Sequence, residues 1–160
     1  MISNHSSSAP DAAVPHAARQ RWMSILARAS AGAIEQRLTH AGPLPAWTLV
    51  RGPETGLAMV RGRAGGSGAP FNLGEMTVTR CTVRLESGGI GHAYVSGRDT
   101  RQAELAAVAD ALLQDPARHA ALTADLIDPL AAEQQAARLD RAEKAAATKV
   151  EFFSLRTMRS

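Results

Sequence analysis

Apolar residues near the start of the chain recur at spacings of three and four, which is the period of one face of a helix. The pattern begins at about Ala17, pauses near Gly32 and stops at the Gly-Pro-Leu-Pro sequence of residues 42–45. Its large members are Trp22, Leu26, Ile34 and Leu38. The spacing therefore predicts an N-terminal helix with an interruption near Gly32.

Between residues 46 and 97 the pattern changes to alternation, which is the period of a strand. The sequence WTLVRGPETGLAMVRGR predicts two short strands around a turn at residues 52–56, where Gly and Pro are concentrated. A glycine-rich loop follows, then an alternating run from Gly74 to Glu86, then Ser-Gly-Gly and the sequence IGHAYVSG. Alternating runs joined by Gly-Gly are typical of a β-hairpin. We therefore expect a roughly four-stranded, mainly antiparallel sheet.

Helical spacing returns after Asp99. This residue is suited to cap a helix, and Gln102 is suited to close a capping box. The apolar stripe that follows consists of Leu105, Val108, Ala109 and Leu112. A third helical region is therefore predicted to begin at about residue 100.

Prolines mark the boundaries in the last part of the chain. Asp-Pro at residues 115–116 ends the preceding helix or turns it into a second one, and Pro129 starts another turn. A charged, alanine-rich helix is predicted from Leu130 to about Ala147, and the closing KVEFFSL predicts a short terminal strand. The fold class that follows is α+β, with an N-terminal helix, the sheet, C-terminal helices and that terminal strand.

The chain has 160 residues, which suits one domain with its own core. Residues 1–15, MISNHSSSAPDAAVP, are polar and lack periodicity, so we predict a disordered tail there and a single α+β domain over residues 16–160. Hydrophobic residues make up 45% of the chain but aromatic residues only 4%, and much of the apolar content is alanine. Such a composition fits burial against partners and equally fits a GC-rich genome that favours Ala and Arg.

The net charge of +3 is concentrated in one segment. Residues 51–101 carry seven arginines against four carboxylates, so seven minus four accounts for the whole excess. Guanidinium groups suit carboxylates and phosphates, so the segment could meet an anionic ligand, a nucleic acid or an acidic protein face. Nucleic acid is weakly supported, since the sequence has no Lys-rich run, no helix-turn-helix pattern and few aromatic residues for stacking.

The glycine-rich loop at residues 62–68 does not have the sequence of a phosphate-binding P-loop. That motif requires a Lys and a Ser or Thr after the last glycine, at the start of a helix. Here the glycines are followed by Pro70 and Phe71 and by a predicted strand. The fingerprint of a dinucleotide-binding loop is excluded as well, because no helix begins after these glycines. A structural or interface loop is favoured, and a nest of backbone N–H groups around an anion stays open.

Polar residues on the predicted strands are the candidates for an interface or for contact with an anion. Arg80 and Arg84 are predicted to share a face with Met76, Val78 and Thr82, and Glu75 is interpreted as an ion-pair partner rather than a general base. Solvated charge on the sheet remains the alternative. The full set of candidates is Arg61, Arg63, Asn72, Glu75, Arg80, Arg84 and His92.

The sequence offers no set of catalytic or metal-binding residues. Its five histidines lack the spacing of metal ligands, and Cys81 is the only cysteine, so neither a disulfide nor a thiolate cluster is expected within the chain. No run reaches the roughly 18 apolar residues of a membrane span. The N-terminus lacks the layout of a signal peptide, so a cytoplasmic location is expected.

Several long stretches nevertheless identify a family. The sequence RGPETGLAMVRGRAGGSGAPFNLGEMTVTRC, followed by GHAYVSGRD, resembles the G subunit of the bacterial carbon–phosphorus lyase core complex. RQRWMSILARA, QAELAAVADALLQ and AAATKVEFFSL are also similar to that family, so the resemblance runs from Arg19 to Leu155. Among these, APFNLGEMTVTRC is the most specific.

The resemblance implies an accessory subunit in the use of phosphonates as a source of phosphorus. With the H, I and L subunits, such a protein supports displacement of adenine from ATP by methylphosphonate, which gives α-D-ribose 1-methylphosphonate 5-triphosphate. The core complex contains two copies each of G, H, I and J. The resemblance implies no catalytic residue and no cofactor in this chain, since the iron–sulfur cluster and S-adenosylmethionine belong to the J subunit. A stand-alone phosphate- or nucleotide-binding module, using the Arg-rich sheet and the glycine loop, is the alternative.

Overall fold

The computed structural model describes residues 15–63 and 68–147 of the chain. Residues 1–14 of the predicted tail and the predicted terminal strand at residues 149–155 lie outside them. The described elements are, in order, α1 (His16–Leu26), α2 (Ala31–His40), β1 (Trp47–Arg63), β2 (Pro70–Leu85), β3 (Ile90–Ser96), α3 (Thr100–Leu113), α4 (Pro116–Leu122), a π-helical segment (Thr123–Ile127) and α5 (Asp128–Ala147).

The N-terminal helical pattern folds as two helices, and the break precedes the predicted one. α1 ends at Leu26, and Ser30 caps α2 by accepting a hydrogen bond from the N–H of Ala33 at 3.2 Å. Gly32 therefore lies inside the first turn of α2 and does not interrupt the helix. A serine hydroxyl satisfies a free N–H at a helix start, so Ser30 sets the boundary more strongly than the glycine does.

Half of the predicted capping box at α3 forms. The Asp99 carboxylate accepts a hydrogen bond from the N–H of Gln102 at 2.8 Å. The Gln102 amide, however, reaches the other way and donates to the carbonyl oxygens of Ala27 at 3.2 Å and Ala29 at 2.6 Å. It thereby satisfies carbonyls that have no intrahelical partner at the end of α1, and it joins the N-terminal helix to α3.

The described sheet has three antiparallel strands in the order β1-β2-β3, rather than the roughly four expected. Residues 47–63 form one continuous strand, and the segment predicted as a turn at residues 52–56 lies within it. The pairing register shifts between Leu49 and Arg51 and between Arg51 and Glu54. An edge strand tolerates a proline such as Pro53, and bulges accommodate extra residues without ending the strand.

One face of β2 and β3 forms the core with the helices. In β2 the buried residues are Thr79, Cys81, Val83 and Leu85, as the predicted alternation requires. Helix α3 packs so closely on β3 that a side-chain carbon at Gly91 would lie 2.6 Å from the backbone nitrogen of Ala111. Alanines make this approach possible because they add little bulk, so the alanines of α3 are buried within the chain itself.

The β1–β2 hairpin is longer than the rest of the sheet. β1 and β2 remain paired as far as Arg63 and Pro70, whereas β3 pairs with β2 only between Val78 and Arg84. Residues 57–63 and 70–77 therefore form a two-stranded extension, which we term the hairpin arm. Of the glycine-rich segment at residues 62–68, the first two residues end β1, and the element that follows the segment is the strand β2 rather than a helix, as the sequence predicted.

Candidate interaction surface

The core side of the sheet continues into the hairpin arm as an exposed apolar face. Cross-strand partners share a face, and the pairs Leu57–Thr77 and Met59–Glu75 continue the series that contains Thr79 in the core. The exposed fractions of the apolar side chains are 67% for Leu57 and 55% for Met59 on this face, and 47% for Phe71 and 62% for Leu73 on β2, where the pairing register has a bulge at Leu73. Adjacent apolar side chains that are exposed to this extent are typical of a surface that binds another protein.

A glycine shapes the end of the arm. A side-chain carbon at Gly62 would collide with the side chain of Leu73. The leucine therefore lies across the glycine, diagonally over the β1–β2 ladder. The glycine here makes room for an apolar side chain, which agrees with a structural rather than a phosphate-binding role for this end of the loop.

The opposite, outer face of the sheet carries an ion-pair cluster. The Glu54 carboxylate accepts hydrogen bonds from Nε of Arg51 at 3.0 Å and from Nε of Arg80 at 3.1 Å. The hydrogen bond from Arg51, followed by that from Arg80, lowers the pKa of Glu54. Tyr94 is the cross-strand partner of Arg80, and hydrogen bonding to Tyr94 and then to Glu54 raises the pKa of Arg80. Arg80 thus lies on the outer face of β2, opposite the buried Thr79 and Cys81.

The seven candidate residues do not converge on one point. Arg61 pairs with Asn72 and Arg63 with Pro70, and both arginines continue the alternation of Leu57 and Met59 on β1, so they lie near the end of the arm on the same side as those residues. Arg63 also donates a hydrogen bond to the carbonyl oxygen of Gly68 at 3.5 Å. Eight residues of β2 separate Asn72 from Arg80, which corresponds to about 27 Å of extended strand. The candidate residues thus form two separate groups, one on the arm and one on the body of the sheet.

Arg84 and His92 belong to the second of these groups. Arg84 lies on the outer face between Thr48 and Ile90 of the neighbouring strands. The His92 ring is also exposed, and its Nδ1 is 3.1 Å from the hydroxyl oxygen of Thr82. His92 is thus a surface residue of the outer face.

The structure places Glu75, interpreted from the sequence as an ion-pair partner, away from the ion-pair cluster of the outer face. Glu75 pairs with Met59 and lies on the core side of the arm, the side to which the alternation of β1 also assigns Arg61 and Arg63. Its carboxylate forms none of the ion pairs found in the described part of the chain, and Glu54 fills that role for the strand arginines. Alternation had assigned the faces of β2 but gave no register for β1.

A buried carboxylate on α3 was missed by sequence reasoning. The side chain of Asp110 is inaccessible to solvent and accepts hydrogen bonds from Arg19, from the indole N–H of Trp22 at 2.8 Å and from the backbone N–H of His92 at 2.9 Å. These partners belong to α1 and β3, so the carboxylate holds both elements on α3. Since a buried charge requires partners, a charged residue inside an apolar helical stripe was the available signal.

A second basic region was also missed. Arg28, Arg138 and Arg141 line a groove together with Ser96 and Gln134. None of these three arginines forms an ion pair with a carboxylate in the described residues. Counting charge by segment could not find this group, because α5 approaches the end of α1 only in the folded chain.

Two further classes of feature were searched for in the described residues. No helix there is long and apolar enough to cross a membrane. No group of three or more His, Cys, Asp or Glu side chains there is arranged to hold a metal ion.

Two comparisons with known proteins identify the family of this chain. The profile of the family described as phosphonate metabolism protein PhnG matches residues 17–157, which include all of the described elements except the first residue of α1. The chain is also 47% identical over 144 residues to the α-D-ribose 1-methylphosphonate 5-triphosphate synthase subunit PhnG of Rhizobium meliloti (strain 1021). That alignment covers 87% of this chain and 88% of the relative. The chain therefore belongs to the PhnG family of phosphonate metabolism proteins.

Proposed function

We propose that the chain is an accessory subunit of the α-D-ribose 1-methylphosphonate 5-triphosphate synthase, within the carbon–phosphorus lyase complex. The observation that carries this proposal is the 47% identity, over nearly the whole of both chains, to a protein that is named as a subunit of that synthase. In this role the chain supports the transfer of the ribose triphosphate moiety of ATP to methylphosphonate, with release of adenine. It contributes binding surface to the complex.

The hairpin arm supports this role. Its core side is continuous with the core of the chain, yet Leu57 and Met59 on that side, and Phe71 and Leu73 of β2, are each about half exposed or more. Covering such side chains stabilises a complex by roughly 25 cal/mol for each Å² of apolar surface removed from water. An accessory subunit that acts by binding requires a surface of this kind.

The proposed partners are the H, I and J subunits of the core complex, and the L subunit for the synthase step, with two copies of this chain in each complex. ATP and methylphosphonate are the proposed substrates of the complex, and the cytoplasm is its proposed location. A stand-alone nucleotide-binding module is not favoured. Arg80 is paired with Glu54 and is separated by about 27 Å of strand from the level of Arg61 and Asn72.

Co-expression tests this proposal. A tagged copy of the chain is expressed with the H, I, J and L subunits, and the captured proteins are identified by mass. We expect capture of the other subunits. We also expect release of adenine from ATP and methylphosphonate by the complete set but not when this chain is left out. Full adenine release without the chain, or a chain that captures none of the four, would contradict the proposal.

A further inference from the structure

β3 is an edge strand, and its side away from β2 pairs with no strand of the described residues. Its pairing with β2 has no register shift. At one end of the ladder the N–H of Gly97 donates to the carbonyl oxygen of Thr77 at 2.8 Å, and at the other end the N–H of Leu85 donates to that of Gly89 at 2.9 Å. Since backbone polar groups alternate along a strand, the odd-numbered residues of β3 direct theirs to β2 and the even-numbered residues direct theirs to the free side.

Side chains of α3 agree with this assignment and close the first half of the free side. The N–H of His92 donates to the carboxylate of Asp110 at 2.9 Å. The carbonyl oxygen of Ile90 accepts a hydrogen bond from the amide of Gln114, also at 2.9 Å. Both backbone groups belong to even-numbered residues, so both point away from β2.

The second half of the free side consists of Tyr94 and Ser96, which we term the β3 edge. No strand in the described residues pairs with these two residues on that side. Edge strands are usually protected from further pairing by prolines, inward-pointing charges or bulges. The sequence of β3, IGHAYVS, has no proline, no carboxylate, no Lys or Arg and no bulge. The N–H and C=O groups of the β3 edge are therefore available to another extended chain.

A groove between the helices and β3 runs along this edge. Its first part is a largely apolar cavity of about 230 Å³, lined by Met23 and Ala27 of α1, by Tyr94 and Val95 of β3 and by Ala106 of α3. A cavity of this kind beside a free strand edge can receive alternate side chains of a chain that pairs with the edge.

The second part of the groove is the basic cavity, of about 790 Å³, that Ser96 lines together with Arg28, Arg138 and Arg141. Ser96 directly follows Val95 of the apolar cavity, and Arg28 directly follows Ala27. The two cavities therefore succeed one another along the β3 edge. A chain that pairs with Tyr94 and continues past Ser96 meets the three arginines.

The arginines give this end of the groove an uncompensated positive charge. None of the three forms an ion pair with a carboxylate of the described residues. Asp140, which lies between Arg138 and Arg141 in the chain, is paired with Lys144 at 2.8 Å. The guanidinium groups are therefore suited to carboxylates that come from outside the described residues.

We propose that an extended acidic segment of another subunit of the complex adds to the β3 edge as a fourth strand, with its carboxylates on Arg28, Arg138 and Arg141. Main-chain hydrogen bonds to Tyr94 and Ser96 would hold the segment, and its apolar side chains would enter the cavity beside Ala106. This inference rests on the proposed function, because it requires that the chain is a subunit.

The charge of the groove favours a different protein over other parts of this chain. A second copy would offer its own β3, which has no carboxylate. Residues 148–160 carry Lys149, Arg156 and Arg159 against Glu151, and residues 1–14 carry Asp11 as their one carboxylate. None of these segments complements three arginines, whereas a partner segment with several carboxylates does.

Amide-resolved hydrogen exchange distinguishes strand addition from contact through side chains alone. Exchange is run on the isolated chain and on the complex co-purified with the H, I, J and L subunits, quenched, and read by NMR after the subunits are dissociated. In the complex we expect the amides of Tyr94 and Ser96 to exchange at least tenfold more slowly. The amides of Ala93 and Val95, which face β2, serve as internal references and should be slow in both samples.

Equal exchange rates at the β3 edge in both samples would overturn the proposal. If the rates are fast in both, no strand is added in the complex. If they are slow in both, residues of this chain or a second copy already fill the edge.

A matched pair of variants at Ser96 provides the second measurement. Ser96→Pro removes an N–H of the β3 edge, and Ser96→Ala removes the hydroxyl but keeps the N–H. Proline is tolerated where the lost N–H faces outward from a strand edge, and unchanged circular dichroism would verify the fold. We expect at least a tenfold loss of co-purified partner for Ser96→Pro and near wild-type recovery for Ser96→Ala. Equal recovery of both, without slowed exchange at the β3 edge, would refute strand addition.

A pair of double variants tests the charge of the partner segment. Arg138→Gln with Arg141→Gln should lower the recovery of the partner at least tenfold. Arg21→Gln with Arg118→Gln is the control, because it removes two exposed arginines outside the groove and should leave recovery near the wild-type level. Equal recovery of the two double variants would refute an acidic partner segment. A wild-type chain that co-purifies with no other subunit would instead refute the proposed function.

Discussion

Arg19 of α1 binds the carboxylate of Asp110 of α3 with two hydrogen bonds, at 3.1 Å from Nε and 2.7 Å from Nη2. The carboxylate is inaccessible to solvent, and Trp22, His92 and Gln114 also donate to it. The cluster thus joins the N-terminal helix, the last strand and the central helix at one point. It lies on the inner side of β3, away from the exposed faces of the sheet, so its role is in folding.

Removal of the Asp110 carboxylate should therefore destabilise the chain strongly. Asp110→Ala leaves the guanidinium of Arg19 and the indole N–H of Trp22 without their acceptor, and breaking a buried pair in this way costs about 3–5 kcal/mol. Urea denaturation measures the free energy of unfolding. Asp125→Ala is a matched control, because Asp125 is exposed and should change the free energy of unfolding by less than about 0.5 kcal/mol. Similar effects of the two substitutions would show that Asp110 does not hold the elements together.

The close packing of β3 on α3 makes a second prediction at Gly91. A methyl group there would collide with the carbonyl oxygen of Ala107 and lie 2.8 Å from the side chain of Ala111. Since these contacts include backbone, they cannot be relieved by rotating a side chain, and Gly91→Ala should cost about 1–3 kcal/mol or more. Gly56→Ala is the control, since nothing lies within 4 Å of the added carbon. Thermal unfolding should show a lower midpoint for Gly91→Ala only.

The sequence predicted those parts of the fold that depend on local pattern. Alternation assigned the buried and exposed faces of β2, and Asp99 marked the start of α3. The local sequence pattern could not distinguish a turn from a bulged edge strand at residues 52–56, because Gly and Pro occur in both. The choice depends on pairing with Thr79 and Arg80, which lie more than twenty residues away in the chain.

The candidate surface was predicted only in part for a related reason. Arginines on the outer face of β2 were expected there, but the apolar face of the arm was not. Leu57 and Met59 have the alternation of core residues, and the sequence gives no indication that β3 and the helices end before reaching them. Whether an apolar strand residue is exposed depends on how far the neighbouring strands and helices extend along the sheet. Only the folded chain shows this.

The ion-pair cluster on the outer face predicts the acid titration of Glu54. Its pKa should lie below the ordinary value for a glutamate and should rise in Arg51→Gln, and less in Arg80→Gln, because the hydrogen bond from Arg51 lowers it most. Arg84→Gln is the control, since Arg84 lies opposite Thr48 rather than Glu54. Since the pKa is lowered in the folded state, the ion pair contributes its stability above the ordinary glutamate pKa and loses it as pH falls through the lowered value. NMR titration of the side-chain carboxyl carbon reports each pKa, and a larger rise in Arg80→Gln would contradict the assignment.

The apolar face of the hairpin arm predicts a loss of assembly that is separable from stability. Leu57→Ser with Met59→Ser removes two exposed apolar side chains on β1. Exposed positions contribute little to the free energy of unfolding, so the double variant should change it by less than about 1 kcal/mol. Its recovery with the other subunits should nevertheless fall at least tenfold, because the partner would no longer bury these side chains. Leu139→Ser on α5 is the control, since Leu139 is equally exposed at 53% but lies far from the arm in the chain. Capture assays with all three chains at equal concentration decide the matter: equal recovery would show that the apolar face of the arm is not covered in the complex.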